Sequence, residues 1–448
     1  MSSIIIRNGI IINEGSSSIG DLLIRDDRIA AIGSIDQNVI PKDAKPIDAK
    51  GLYVIPGVID DQVHFREPGL THKADIYSET RAAAAGGVTS FMDMPNTIPQ
   101  SVTNEILEEK YKIAREKSLI NYSFYIGGTN TNLSELLNVD PEKICGIKLF
   151  LGSSTGNMLV NDGKALREIF SRSSMLIACH CEDEPTVKRN SEIYREKYGE
   201  DVPVKYHPLI RSREACFITS SFAVNLAKEY NTRIHILHLS TADEMKLFSS
   251  DKPVNEKRIT GEVCVHHLWF EESDYERLGN YIKWNPAIKT KFDREALLTG
   301  VKNNLIDIVA TDHAPHTLEE KSATYFKAPS GGPLIQHSLV AMMELFHKKI
   351  LTMEMIVEKM CHNPAIIYRI KERGFISEGY KADICIVDPR DKWQVNRKNI
   401  LYKCGWSPFD GEEFSSNVKY TIVNGNVIYN NGVLNENTRG ERLLFHAK

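Results

Sequence analysis

The sequence predicts an α/β fold, a (β/α)8 TIM-type barrel with a small β-sandwich domain assembled from both chain termini. Three observations lead there. Strand-like runs punctuated by turn residues occur at both ends of the chain, eight short apolar runs recur through its middle, and helix-like stretches fill most gaps between those eight. A doubly wound open sheet is the alternative that the same alternation allows. The 448 residues suffice for a barrel of ~250 residues and a smaller second unit.

Residues 1–54 read as short strands with turns. Ile4–Ile6 and Ile10–Ile12 flank Asn8-Gly9, a hairpin-turn signal, and Asp21–Arg25 and Arg28–Ile32 flank Asp26-Asp27. The expected barrel strands are Ile55–Ile59, Val88–Met92, Tyr122–Ile126, Ile144–Phe150, Met175–Cys179, Ile234–Leu237, Ile259–Val265 and Ile306–Ala310. Helices are expected at Asp75–Ala85, Thr103–Lys117, Gly163–Ser171, Ser212–Tyr230 and Asp293–Asn303. The stretch Glu184–Arg211 is too long for a simple loop and should carry a short helix of its own. Strand character returns at Ala382–Asp388 and at Tyr420–Val423, turn Asn424-Gly425, Asn426–Tyr429. The expected division is 1–54 with 375–448 as the small composite domain, and 55–374 as the barrel.

Composition narrows the function. Lys plus Arg is 55 and Asp plus Glu is 59, a net charge of −4, so there is no basic footprint for nucleic acid and no charge block for a membrane surface. Most of the eight cysteines lie inside apolar runs and read as reduced core residues. The opening MSSIIIRNGIIINEG lacks a signal-peptide core, and no stretch approaches ~18 uncharged apolar residues. A soluble, cytoplasmic protein is expected.

Barrels gather function at the C-terminal ends of their strands. The first run leads into Asp60-Asp61-Gln62-Val63-His64-Phe65-Arg66-Glu67-Pro68-Gly69, and the second ends at Asp93-Met94-Pro95-Asn96. The fourth contains Lys148, the fifth, sixth and seventh end at His180, His238 and His266, and the eighth ends in Thr311-Asp312-His313-Ala314-Pro315-His316. Each residue alone is ordinary: a strand-end histidine is commonly just hydrogen-bonded, and Asp312 could cap a helix. His267 and His313, each next to another strand-end residue, should point away from the site. Together, histidines, a lysine and an aspartate on one rim are an inventory for zinc or a similar ion.

Those motifs, with Gly379-Tyr380-Lys381-Ala382-Asp383 and Thr421-Ile422-Val423-Asn424-Gly425, resemble the cyclic amidohydrolases, and among them the dihydroorotases, over essentially the whole chain. The resemblance implies a metal-dependent barrel with a β domain from both termini. It implies that His64, His180 and His238 are metal ligands and that Asp312 both binds metal and shuttles the proton. Lys148, in Gly146-Ile147-Lys148-Leu149-Phe150, matches the lysine that many relatives carboxylate to a bridging carbamate. Some relatives carry an aspartate a little further on instead; here Ser153-Ser154-Thr155 follows and the next aspartate is Asp162.

One departure stands out. Relatives usually carry two histidines separated by one residue after the first strand, whereas this chain has Gln62 before His64. An amide oxygen is a poorer zinc ligand than imidazole, so one firm zinc held by the Lys148 carbamate, His180 and His238 is expected, with the second position weak or empty.

The resemblance also implies substrate contacts. Arg66 would bind a free carboxylate through its donor fork, with Asn96 and His316 at the other carboxylate positions. Asn285 and the backbone at Ser330-Gly331 would contact the ring amide. The implied reaction is the reversible cyclisation of N-carbamoyl-L-aspartate to L-dihydroorotate in pyrimidine synthesis. Two readings stand beside it: another ring-amide hydrolase of allantoinase or hydantoinase type, and an inactive barrel serving as scaffold for a transcarbamoylase. The expected partners are the small-molecule substrate and further copies of the same chain.

Overall fold

In the computed structural model, residues 3–152 and 158–447 are described. Both termini feed one nine-stranded sheet. Its order runs Val433–Leu434, Asn426–Asn430, Asn417–Val423, Ile384–Asp388, Tyr53–Pro56, Ser3–Asn13, Ser16–Arg25, Arg28–Gly33, and Lys45–Asp48 pairs with Ser3–Asn13 off this path. The seam between the two ends of the chain is the antiparallel pairing of Ile384–Asp388 with Tyr53–Pro56. Apolar residues on that sheet, among them Ile4, Leu22, Val54, Ile384 and Ile422, form a core of their own.

Two turn signals in this sheet had different outcomes. Asn424-Gly425 makes the expected hairpin, with Val423 opposite Asn426 and both loop residues at positive φ, as the tight turn requires. Asn8-Gly9 does not. One strand runs unbroken from Ser3 to Asn13, and Asn8, at φ 59°, marks a shift of register against Ser16–Arg25. A side chain at position 9 would collide with Val54, so the glycine serves close strand packing, and the chain turns at Glu14-Gly15 instead.

Among the described residues, eight parallel strands close the barrel. They are Val58–Val63, Val88–Asp93, Asn121–Phe124 continued by Ile126–Gly127, Ile147–Phe150, Ile177–His180, Ile234–Ile236, Ile259–Cys264 and Ile308–Ala310. The ring closes where Val63 bridges to His313 and the His64 N–H donates to the His313 carbonyl at 2.7 Å. Ile59, Met92, Tyr125, Ala178, Leu237, Cys264 and Ile308 pack in one cluster with Ile367 and Tyr368 of the helix Asn363–Tyr368. That helix meets the N-terminal end of the last strand through Asn363 Nδ2 on the Asp307 carbonyl.

The expected first run splits at Gly57. Tyr53–Pro56 belongs to the terminal sheet and Val58–Val63 to the barrel, because a Cβ at 57 would run into Thr89 where the chain crosses between the two. Helix starts came one residue later than expected at Asp75, Thr103 and Ser212, each of which caps its helix by accepting a backbone N–H. Glu184–Arg211 holds more helix than expected, a 15-residue helix Glu184–Tyr198 and a short one at His207–Ile210.

Candidate active site

The strand ends converge on one cleft, lined by Gln62, His64, Arg66, Asn96, Lys148, His180, His238, Asn285, Asp312, Ser330 and Gly331, with Phe150 and Ala314. Of the residues singled out from the sequence for binding or chemistry, His266 and His316 do not line it.

Backbone conformation aims these groups. Arg66, His238 and Asp312 have φ of 65°, 41° and 48°. A non-glycine residue held there carries strain of order 1–3 kcal/mol and persists where its surroundings over-determine it. Around Arg66 that framework is visible: the Phe65 N–H donates to Asp93 Oδ1 at 2.9 Å, and Asp93 Oδ2 pairs with Lys110 Nζ at 2.6 Å, both side chains fully buried. Around Asp312, the neighbouring Thr311 hydroxyl donates to Asp60 at 2.5 Å. Asp60 thus ties the first strand to the residue that follows the eighth.

His180 Nδ1 and His238 Nε2 stand 2.9 Å apart, and His238 Nδ1 is buried without a hydrogen-bond partner. Burial holds both rings below the ordinary histidine range, so their lone pairs are available at neutral pH. Lys148 is 1% exposed, and burial pushes its ammonium down to about 8, which leaves neutral amine accessible near pH 7. These donors fit one divalent ion once Lys148 carries an anionic oxygen.

The first-strand side is different. His64 Nδ1–H donates to Asn96 Oδ1 at 2.8 Å, which turns the Nε2 lone pair toward Asp312 Oδ1, 3.2 Å away. Gln62 Nε2 donates to that same Asp312 oxygen at 3.3 Å, and the Cys264 thiol donates to Gln62 Oε1 at 3.7 Å. The amide thus turns its N–H edge toward the position a second cation would occupy and has its oxygen engaged elsewhere. A second ion does not fit this donor set as it stands.

His316 sits behind Arg66. Its Nε2 lies 3.0 Å from Arg66 Nη2 and 3.1 Å from the Ser330 carbonyl, and its Nδ1 lies 3.1 Å from Lys73 Nζ. It braces the guanidinium, whose Nε also donates to the Pro315 carbonyl at 3.1 Å, and leaves the rest of the fork facing the cleft. On the opposite wall, Asn285 Oδ1 is buried with no hydrogen-bond partner, an acceptor waiting for a donor.

Other expectations need correction. His266 and His267 lie on the short helix Val265–Trp269 and not on the strand, so strand alternation does not orient them; both are buried, and His266 stacks on Trp284 at 4.4 Å. His313 does face away, toward Glu79 at 2.8 Å. Asp162, the nearest aspartate after Lys148, caps the helix Gly163–Arg172 and is not available as a ligand; Ser153-Ser154-Thr155 lie outside the described residues.

Some neighbours of the site carry little or no signal in the sequence. Glu182, 3.2 Å from His180 Nε2 and paired with Arg211, was findable two residues beyond the strand-end histidine. Lys110 carried no signal, since a lysine on an amphipathic helix reads as surface. Among the described residues, two further groups bring three side chains of metal-binding type together, Cys264 with His266 and His267, and Asp61 with His235 and Glu262.

Comparison with known proteins agrees with this geometry. The sequence profile of the Amidohydrolase family matches residues 53–428. The chain belongs to the amidohydrolase family. It is 33% identical to a dihydroorotase of Methanosarcina acetivorans over 99% of this chain and 96% of that one. It is 32% identical to a dihydroorotase of Clostridioides difficile, over 95% of this chain and all of the other. Among solved amidohydrolase structures, the L-hydantoinase (dihydropyrimidinase) of Arthrobacter aurescens superposes with a TM-score of 0.93 at 25% identity, covering both chains fully.

Proposed function

We propose that this metal-dependent cyclic amidohydrolase is a dihydroorotase, interconverting N-carbamoyl-L-aspartate and L-dihydroorotate. The observation that carries the substrate is Arg66: a buried guanidinium at the cleft wall, braced by Pro315 and His316, beside Asn96. Burial lowers it to about 10, so it keeps its charge at neutral pH and presents a fork suited to a carboxylate. A ring amide without a carboxylate would offer that fork no anionic ligand.

In this reading Lys148, carboxylated by attack of its neutral amine on carbon dioxide with loss of one proton, holds one zinc with His180 and His238. The ion supplies Lewis-acid chemistry to the ring carbonyl. Asp312 takes the proton of the attacking water on a carboxylate oxygen and returns it to the departing ring nitrogen. Asn285 Oδ1 accepts from the ring N–H, and the Ser330-Gly331 backbone holds the other side of the amide. The small domain, 1–54 and 375–448 with its first boundary moved to Gly57, and the barrel remain the proposed units. Cytoplasmic location, self-association and a transcarbamoylase partner extend the same proposal; among the described residues no helix is long and apolar enough to cross a membrane.

The test compares dihydroorotate with dihydrouracil, its analogue without the carboxylate. The parent enzyme should turn over dihydroorotate, and Arg66→Asn should lose about 30- to 5,000-fold in kcat/KM on it, as truncating a desolvated charge pair costs roughly 2–5 kcal/mol. Hydrolysis of dihydrouracil should change far less. Rapid hydrolysis of dihydrouracil by the parent with no turnover of dihydroorotate would favour the hydantoinase-type reading and overturn this one.

A further inference from the structure

Inside the barrel, beneath the cleft, the first, sixth and seventh strands bring Asp61, His235 and Glu262 together. All three are fully buried, and their donor atoms lie within 4.8 Å of one another. We propose that they form a second, closed metal site that takes a borderline divalent cation such as zinc and is separate from the catalytic position.

The tautomer of His235 is the starting point. The Thr260 hydroxyl donates its one proton to the Ile234 carbonyl at 3.2 Å, so its oxygen accepts from His235 Nδ1 at 2.8 Å. With Nδ1 protonated, the neutral ring aims its Nε2 lone pair at Glu262 Oε2, 3.3 Å away, and at Asp61 Oδ2, 3.5 Å away. The Nε2 to Glu262 contact is within hydrogen-bond reach, so either a proton on the Glu262 carboxyl, which burial raises to about 8, or a metal ion can lie between these groups. The spacing speaks for a metal over a shared proton. Charge-assisted N–H···O bonds are about 2.7–2.9 Å long, whereas zinc bonds of ~2.0–2.1 Å at tetrahedral angles hold neighbouring donors about 3.3–3.4 Å apart.

Asp61 supplies an independent argument. Among the described residues no lysine or arginine reaches either of its carboxyl oxygens; its polar neighbours there include the Glu262 carboxyl and the Tyr368 hydroxyl. The Tyr368 hydroxyl approaches it but brings no positive charge. Burial pushes the Asp61 carboxyl well above the ordinary range, so ionising it there costs several kcal/mol unless a cation answers the charge. Glu262 is oriented by its other oxygen, Oε1, which accepts the His238 N–H at 3.2 Å and leaves Oε2 turned inward. Thr260 behind the imidazole and His238 N–H behind the carboxylate are the outer hydrogen bonds that fix metal ligands in place. Two carboxylates and one imidazole suit zinc and its neighbours better than calcium or magnesium. A cation there would also balance the negative charge that carboxylation of Lys148 adds nearby.

Crystals of the full-length protein grown with saturating zinc chloride, measured on both sides of the zinc absorption edge, give the direct readout. The expected result is an anomalous peak within bonding distance of Asp61, His235 Nε2 and Glu262, distinct from any peak beside His180 and His238. Metal content should fall by about one equivalent per chain in Asp61→Asn and in His235→Gln. Absence of the interior peak in zinc-saturated parent protein would overturn the proposal, whatever the fold of the variants, and leave a shared proton as the occupant. Because the two positions are resolved in one map, this outcome does not depend on whether the cleft hydrolyses dihydroorotate.

Discussion

Replacing Lys110 by Met should strand a negative charge inside the barrel wall. Lys110 Nζ lies 2.6 Å from Asp93 Oδ2, with both side chains 0% exposed, and also donates to the Met94 carbonyl at 3.0 Å. Methionine fills much of the volume but supplies neither charge nor donor, and among the described residues Asp93 then keeps the Phe65 N–H as its hydrogen-bond donor. Breaking a buried pair by removing one partner costs about 3–5 kcal/mol. At ~2 °C per kcal/mol for a large domain, the melting temperature should drop by roughly 6–10 °C. In the double variant Asp93→Asn/Lys110→Met the stranded charge is gone, so it should be less destabilised than the two single effects added together. Asp93 also anchors the residue beside Arg66, so the single variant should raise KM for dihydroorotate. Thermal melts by fluorimetry and a double-mutant cycle are the assay. A single variant within about 1 °C of the parent, or strictly additive effects, would refute the reasoning.

Three further outcomes are expected. Lys148→Ala should lose both cleft metal and activity, with partial rescue by short carboxylic acids at high zinc; full metal content and turnover in this variant would remove the carbamate from the scheme. In zinc-soaked crystals of the parent, the position among Gln62, His64 and Asp312 should be weak or empty, and Gln62→His should fill it; a strong peak there in the parent would show that the amide serves as a ligand after all. His337 is boxed by Trp393, Tyr402, Phe409 and Phe414, and burial pushes its ring down to about 3. Its folded-state pKa is depressed, so its contribution to stability is present above ~6.5 and lost as pH falls toward 3, at about 1.4 kcal/mol per pH unit. His337→Gln should flatten the acid limb of denaturant-measured stability between pH 6 and 4, and an unchanged slope would count against this account.

Much of this protein was legible in one dimension because the signals are local. Alternating strand and helix periods announced the barrel, and Asp75, Thr103 and Ser212 marked helix starts to within a residue, since a cap acts on its own next turn. The strand-end residues were visible as well, because a barrel delivers C-terminal strand ends to one rim whatever the sequence between them. What the sequence left open depends on partners distant in the chain. Asn8-Gly9 carries the chemistry of a turn, yet Val54, 45 residues on, presses the glycine into a continuous strand. Lys110 has the look of a surface lysine until Asp93 and Phe124 enclose it. His316 falls within a site motif, but Arg66 stands between it and the cleft. The triad of Asp61, His235 and Glu262 spans 202 residues of sequence and exists only where three strands close the barrel. Residue type and spacing determine what chemistry a side chain can offer; which neighbours desolvate, brace or neutralise it is decided by long-range packing, and that is a property of the tertiary structure alone.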